Sequence, residues 1–445
     1  MERSAMQSLI TWKQSPYRKP LILQGVRQVG KTWLLKEFGQ RHYEKVAYFN
    51  FDENPEYSQF FDTTKDVKRI LDNLQFIVGF PITKESTLII FDEIQDAPNV
   101  LNALKYFHEN GKDYHVACAG SLLGVALSRP SSFPVGQIDF LKIHPMTFSE
   151  MLNADGEHGL LEFLHAKSDL DPIPDAFFSP LTENLKKYFL IGGMPEAVER
   201  WVHDRDSGSI DSILYSIIQA YEHDFAKHPE PREYPKLIQI WQSLPSQLAK
   251  ENKKFFYQLV RKGARAREYE DALRWLVSSE VVAKISRCTK PALPLSAYED
   301  LSTFKLYPVD VALLRRLAQL DISSFLHPSR LFTEFKGAFT ENYILQALSV
   351  SFSVPLRYWT SSDNRYEVDF LLQYKNLVIP IEVKADTNIS STSLKAIKRL
   401  NKEDFPLRIR YSLQNLKLDK DVLNIPLFMA DWSAQLIDLA LKHIS

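Results

Sequence analysis

The segment Gly25-Val26-Arg27-Gln28-Val29-Gly30-Lys31-Thr32 follows the apolar run Leu21-Ile22-Leu23 and leads into a helical pattern from Thr32 to Arg41. A buried strand that ends in G-x-x-x-x-G-K-[ST] and opens a helix is the sequence form of a phosphate-cradling loop. The glycines let the backbone curl so that successive N–H groups face inward, and the helix adds the positive end of its dipole. Lys31 is expected at the β- and γ-phosphates of a nucleotide, and the Thr32 hydroxyl at Mg²⁺. Gly25, Val26, Arg27, Gln28, Val29, Gly30, Lys31 and Thr32 are therefore the candidate nucleotide-binding loop. The competing reading, a glycine-containing turn, leaves the strand before it and the helix after it unexplained.

The residues after the loop extend that pattern. Val46–Phe51, Thr87–Phe91 and Val116–Ala119 read as further buried strands, and Val67–Val78 as a helix between two of them. Short apolar runs alternating with helices imply a parallel sheet covered on both faces, an α/β fold. The run Leu88-Ile89-Ile90-Phe91 delivers Asp92 and Glu93 to the carboxyl edge of that sheet, where ligands bind. Asp92 is expected to support the metal through water, and Glu93 to polarise the attacking water as a general base. Ser121, after the next strand, can act as a sensor at the γ-phosphate or as the N-cap of the following helix. Arg129 is a candidate for an arginine donated between subunits, with a solvated loop residue as the alternative.

With 445 residues, the chain exceeds what one hydrophobic core sustains. Changes in pattern suggest a P-loop core at 1–150, a helical lid at 151–230, a winged-helix-like region at 231–324 and a separate α/β domain at 325–445. Prolines at Pro172, Pro174 and Pro180 suggest a loop between lid helices. Lys and Arg total 54 against 55 Asp and Glu, so any nucleic-acid contact must come from a local patch. Two cysteines, Cys118 and Cys288, make neither a disulfide framework nor a thiolate cage. No apolar core follows the basic start and no run is long enough to span a bilayer, so a cytoplasmic setting without a membrane partner is expected.

A second constellation lies in the last third. Glu367-Val368-Asp369-Phe370 is followed, thirteen residues after Asp369, by Glu382-Val383-Lys384. Alternation along a strand puts Glu382 and Lys384 on one face. A hairpin turning at Lys375-Asn376 can bring Asp369 beside them, and Glu341 on the preceding helix can add a carboxylate. Asp369, Glu382 and Glu341 are candidate metal ligands. With Lys384 orienting water, Asp369 and Glu382 would hydrolyse a phosphodiester. This D…(D/E)-x-K arrangement is the signature of a restriction-endonuclease-like fold. The competing reading is an exposed sheet face with an ordinary Glu–Lys pair.

Between these regions, two or three helices followed by a β-hairpin (Val281–Ser286 and Phe304–Tyr307) have the layout of a winged helix. Its second helix, from about Ala264 or Arg267 to Val277, would lie in a major groove with Arg265 and Arg267 on phosphates. A solvated helix face is the alternative. Gly192-Gly193-Met194-Pro195 reads as a tight break between helices, or else as a lid segment touching the nucleotide.

The ordered set Gly25–Thr32, Phe91-Asp92-Glu93-Ile94-Gln95, Ala119-Gly120-Ser121-Leu122, His144-Pro145-Met146-Thr147-Phe148-Ser149-Glu150, Gly192-Gly193-Met194-Pro195-Glu196, Gly337-Ala338-Phe339-Thr340-Glu341-Asn342-Tyr343, Glu367–Phe370 and Ile381–Lys384 resembles the prokaryotic AAA-type ATPases that carry a C-terminal domain of unknown function 4143. The resemblance covers nearly the whole chain. It implies an AAA-like ATPase core, a winged-helix region and a restriction-endonuclease-like C-terminal domain. Gln137 after Gly136 stands where many relatives have arginine, and Val26 where proline is common. The expected activity is Mg²⁺-dependent ATP hydrolysis whose nucleotide state controls a DNA-directed domain. ATP and DNA are the expected partners, with a further protein or a second copy of the chain as candidates. The alternative is a nucleotide-dependent switch or scaffold that binds a protein partner through an inactive nuclease fold.

Overall fold

A computed structural model describes residues 1–120, 136–226, 230–250, 252–320, 333–385, 391–400 and 404–444. Ser121 and Arg129 lie outside the described residues. The chain forms two compact units, one of residues 2–144 with 278–280, the other of the remainder. The segments expected as lid, winged-helix region and C-terminal domain fall mainly in the second.

The smaller unit is built on β1 (Leu21–Gln24), β2 (Lys45–Asn50), β3 (Thr87–Asp92), β4 (His115–Ala119) and β5 (Asp139–Lys142). They run parallel in the order β2-β3-β4-β1-β5. Helices Lys31–His42, Val67–Val78 and Pro98–Asn110 connect them. All six β3 residues are buried, as a strand covered on both faces requires. Phe49, Phe51, Phe61, Phe91 and Phe107 pack together in the core on one side. Burying each such side chain contributes about 1.5–3 kcal/mol. β5 has no counterpart among the expected strands. It is an edge strand, and its Asp-Phe-Leu-Lys sequence alternates partly buried with exposed residues, leaving no apolar run to detect.

The larger unit begins with helices Phe148–Ala154, His158–Ala166, Asp175–Ile191, Pro195–Asp204, Ser207–Phe225, Tyr234–Leu248 and Ala266–Ser278. Pro180 lies inside Asp175–Ile191 rather than in a loop. At the sixth position of the helix it removes one i→i−4 hydrogen bond and its ring crowds the carbonyl of Ala176, a cost that the packing of this helix outweighs. Next come β6 (Val282–Cys288), β7 (Glu299–Pro308) and helices Val311–Leu317 and Thr333–Ser351. Then come β8 (Arg357–Thr360), β9 (Glu367–Tyr374), β10 (Leu377–Val383), helix Thr392–Leu400, β11 (Arg408–Ser412), β12 (Lys417–Asp419), β13 (Val422–Pro426) and helix Ser433–Ile444.

All eight strands form one sheet in the order β12-β13-β11-β10-β9-β8-β6-β7. The boundary expected at 324/325 thus falls between strands of a single sheet. β9 and β10 are the anticipated antiparallel hairpin, turning at Lys375, whose φ of 54° is left-handed. β10 then pairs parallel with β11, and β11 with β13.

The Gly192-Gly193 break is fixed inside this unit. Gly193 N–H donates to the buried Asp310 carboxylate at 2.7 Å. A Cβ on Gly193 would stand 2.1 Å from the Met146 carbonyl oxygen, so only glycine fits. Asp310 also caps the helix Val311–Leu317 through the N–H groups of Ala312 and Leu313. Gln346 Nε2 donates to both Asp310 and Tyr188 Oη. This is the tight-break reading of Gly192-Gly193, with its partners named.

Candidate active site

The loop after β1 has the backbone that its glycines permit. Gly25 has φ 147° and Gly30 φ 91°. A Cβ at Gly25 would lie 2.3 Å from the Ile143 carbonyl oxygen, so a side chain is excluded there. The helix Lys31–His42 starts directly after Gly30. Lys31 Nζ folds over the loop and donates to the carbonyls of Gly25 at 2.7 Å and Val26 at 2.9 Å. Burial lowers the Lys31 pKa to about 8, against the opposing pull of Glu93 and Asp92. An ammonium destabilised by burial and held by two carbonyls is poised for phosphate oxygens. Thr32 is partly buried beside it, while Arg27 and Gln28 are exposed and Val26 and Val29 buried.

Asp92 ends β3 and is buried. Its Oδ2 accepts the Tyr48 hydroxyl at 2.8 Å and its Oδ1 accepts the Glu93 N–H at 3.0 Å. Tyr48 pairs with Ile90 in the β2–β3 register, which puts it on the same sheet face as Asp92, two residues along. Lys36 Nζ sits 3.7 Å from the centre of the Tyr48 ring. Glu93 is left-handed, with φ 54°, a conformation that costs a non-glycine residue energy. Its Oε2 accepts from Gln95 Nε2 at 2.5 Å. Burial, reinforced by Asp92, raises the Glu93 pKa above the ordinary carboxylate value, while Gln95 and Lys31 pull it back. A raised pKa suits a base that must take a proton from water. Tyr48 escaped the sequence reading, because a tyrosine in a strand between alanine and phenylalanine looks like core.

The second constellation is less open than its motif suggests. The β9–β10 ladder ends at Phe370↔Ile381. One residue further, Asp369 Oδ2 accepts the Val383 N–H at 2.7 Å in place of a backbone carbonyl. Lys384 Nζ pairs with Glu382 Oε1 at 2.7 Å. Glu382 Oε2 is buried without a hydrogen-bond partner. Glu341 is buried and both its oxygens are taken, Oε1 by Lys253 Nζ at 2.5 Å and Oε2 by the Tyr307 hydroxyl at 2.8 Å. Lys305 Nζ lies 2.6 Å from Glu367 Oε1 and 3.8 Å from Glu341 Oε2. Burial, with Glu341 adding to it, pushes the Asp369 carboxyl well above the ordinary range. Among the described residues no three carboxylate, histidine or cysteine side chains converge as a metal-binding set. Lys305 and Tyr307 were missed as site residues. The available signal was a lysine and a tyrosine on one face of the short strand Phe304–Tyr307.

Arg265 and Arg267 are exposed at the start of helix Ala266–Ser278. That helix buries Tyr269, Ala272, Leu273, Trp275 and Leu276. Its outer face is mixed in sign, with Arg274 paired to both Glu270 and Asp271. No helix among the described residues is long and apolar enough to cross a membrane.

Three family models match the chain. An AAA domain covers residues 17–152, a domain of unknown function, DUF8612, covers 182–324, and another, DUF4143, covers 336–428. No curated protein matches it. Among solved structures it is similar to a Walker-type ATPase of Pyrococcus abyssi, at 16% identity over 71% of this chain and 95% of that one, with a TM-score of 0.44. It is also similar to RuvB of Thermotoga maritima, at 13% identity over 65% of this chain and 87% of that one, with a TM-score of 0.29. With the glycine loop, the buried Asp92, the partly buried Glu93 and the parallel sheet in one unit, the chain combines an AAA-domain segment at 17–152 with a C-terminal DUF4143 segment at 336–428, in the expected order.

Proposed function

We propose that the chain binds ATP with Mg²⁺ in the loop Gly25–Thr32, hydrolyses it, and uses its nucleotide state to act on the larger unit. The observation that carries this reading is the Lys31 ammonium over the loop carbonyls beside a buried Asp92 and a base-like Glu93. The Thr32 hydroxyl and Asp92 are hard oxygen donors, the set that suits Mg²⁺ when phosphates complete its shell. Held by these two residues, Mg²⁺ would supply positive charge against the negative charge of the phosphates. Lys31 would exchange the Gly25 and Val26 carbonyls for β- and γ-phosphate oxygens. Glu93 would take the proton of water as its oxygen joins the γ-phosphorus and the bond to the β-phosphate bridge breaks. ADP and phosphate leave. Ser121 keeps its proposed place at the γ-phosphate.

The hairpin β9–β10, the Glu341-bearing helix before it and the parallel β10–β11 pair support a restriction-endonuclease-like reading of the C-terminal segment. The helices before the β6–β7 hairpin support a winged-helix one, with Arg265 and Arg267 as candidate phosphate contacts for DNA. A scaffold that binds a partner without cutting is the second reading. It is favoured by the pairing of Lys253 with Glu341.

Radiolabelled ATP binding and phosphate release on Glu93→Gln and Lys31→Ala test the ATPase reading. Glu93→Gln should retain ATP and lose hydrolysis by about 10²-fold or more, the scale of a general base. Lys31→Ala should lose binding. Unchanged turnover in Glu93→Gln would overturn the assignment of the base.

A further inference from the structure

The carboxylates Glu341, Asp369 and Glu382 do not fit the divalent cation that a D…(D/E)-x-K motif calls for. A Mg²⁺ ion needs near-octahedral oxygen ligands at about 2.0–2.1 Å, with free lone pairs aimed at one point. Here both oxygens of Glu341 are engaged, by Lys253 and Tyr307. Asp369 Oδ2 accepts the Val383 N–H, and the charges of Lys305 and Lys253 already bear on its carboxyl. Glu382 has one oxygen on Lys384, so one oxygen of Asp369 and one of Glu382 remain, beside two ammonium groups that oppose a further cation.

We infer that this cluster is neutralised by two lysines of the chain itself, Lys253 and Lys305, so that the C-terminal segment binds no divalent cation. Two ammonium groups bring the charge of one such ion. The Lys305 side chain is 0% exposed and bridges Glu367 and Glu341, so it has no route into solvent. Buried acids need a counter-charge held in place, and removing one partner of such a pair is costly. Lys253 is the removable member. It reaches in from another segment with its side chain 15% exposed, and its φ of 49° is strained for lysine. The charges then nearly balance, with two lysines facing Glu341, Glu367 and Asp369.

The inference does not rest on the ATPase reading, and a Mn²⁺ titration of the full chain followed by electron paramagnetic resonance separates the two. Without nucleotide, the wild type should leave Mn²⁺ free at 100 μM, roughly the chain concentration needed to read one site per chain. With a non-hydrolysable ATP analogue one Mn²⁺ should bind, and Lys31→Ala should abolish it; failure of that arm alone counts against the ATPase reading. Lys253→Met, which empties the counter-ion position, should gain nucleotide-free Mn²⁺ affinity at least tenfold, and adding Asp369→Asn should remove the gain. Nucleotide-free binding by the wild type that disappears in Asp369→Asn would overturn the inference. So would a folded Lys253→Met that gains nothing. If Lys253→Met does not fold, the wild-type and Asp369→Asn titrations decide alone.

Discussion

The Tyr48 hydroxyl donates to Asp92 Oδ2 across 2.8 Å, from a strand that lies beside β3 and carries no part of the glycine loop. The bond fixes the rotamer of the carboxylate at the carboxyl end of β3. Made to a buried carboxyl, it is shielded from competition with water. Tyr48→Phe removes the donor and keeps the ring under Lys36. Its kcat for ATP hydrolysis should fall about 3–10-fold with little change in KM for ATP, the scale of one such bond being about 1.5–3 kcal/mol when fully lost. An equal loss in KM would mean that Tyr48 serves binding rather than orientation.

Burial sets the Lys31 pKa near 8, so the free enzyme begins to lose this ammonium just above neutrality. Phosphate binding requires the charged form. Below pH 8 the affinity for ATP should be flat; above it, each pH unit should weaken binding about tenfold, because a proton must be taken up with the nucleotide. Calorimetry in two buffers of different ionisation enthalpy would show that uptake. A flat affinity through pH 9.5 would place the Lys31 pKa outside this window.

Asp310 is fully buried and accepts from Gly193, Ala312 and Leu313 main-chain N–H groups as well as from Gln346. Asp310→Ala strands three main-chain donors in the core, Gln346 keeping its bond to Tyr188. The larger unit should lose on the order of 3 kcal/mol or more, read as a fall in the denaturant midpoint. Asp310→Asn keeps one acceptor oxygen and should lose less. A midpoint shift within error for Asp310→Ala would mean that water replaces the carboxylate there.

The raised carboxyl of Asp369 carries a sign. The folded chain holds a proton that the unfolded chain gives up in the ordinary carboxylate range, so the folded state binds more protons in between. Stability from this group is full at low pH and declines as pH climbs toward the raised value. Asp369→Asn is neutral throughout and its oxygen can still accept from Val383. Thermal unfolding of this variant should therefore match the wild type near pH 3, exceed it increasingly as pH climbs through the ordinary carboxylate range, and stay higher near pH 9. Parallel curves would show that Asp369 is ionised in the fold.

The P-loop half was legible because its signals are local. Glycines at fixed spacing, one strand of four apolar residues and two acids after it mark the loop and the end of the strand without reference to anything distant. The hairpin of β9 and β10, with Asp369 and Glu382 on it, was legible for the same reason. What stayed hidden was long-range. Lys305 and Lys253 stand 36 and 88 residues before Glu341, on a strand and on a segment outside the sheet, and only the tertiary fold brings them to it. β11 to β13 and the final helix passed unread, since Arg408-Ile409-Arg410-Tyr411 mixes charge into a strand. Its arginines are spent on Asp421 and Asn424 rather than on solvent.

The eight-stranded sheet bears on how such a protein can be divided or inherited. Residues 282–308 supply β6 and β7, and 357–426 supply the other six strands, although the two stretches answer to different family models. The DUF4143 stretch is therefore no exchangeable cassette. Transplanted alone it would open on a raw β8 edge, an invitation to aggregate. It would also leave behind Lys305 and Tyr307, two of the groups that keep Glu341 quiet. The two stretches are better regarded as one heritable piece, with the junction between their models running through its interior.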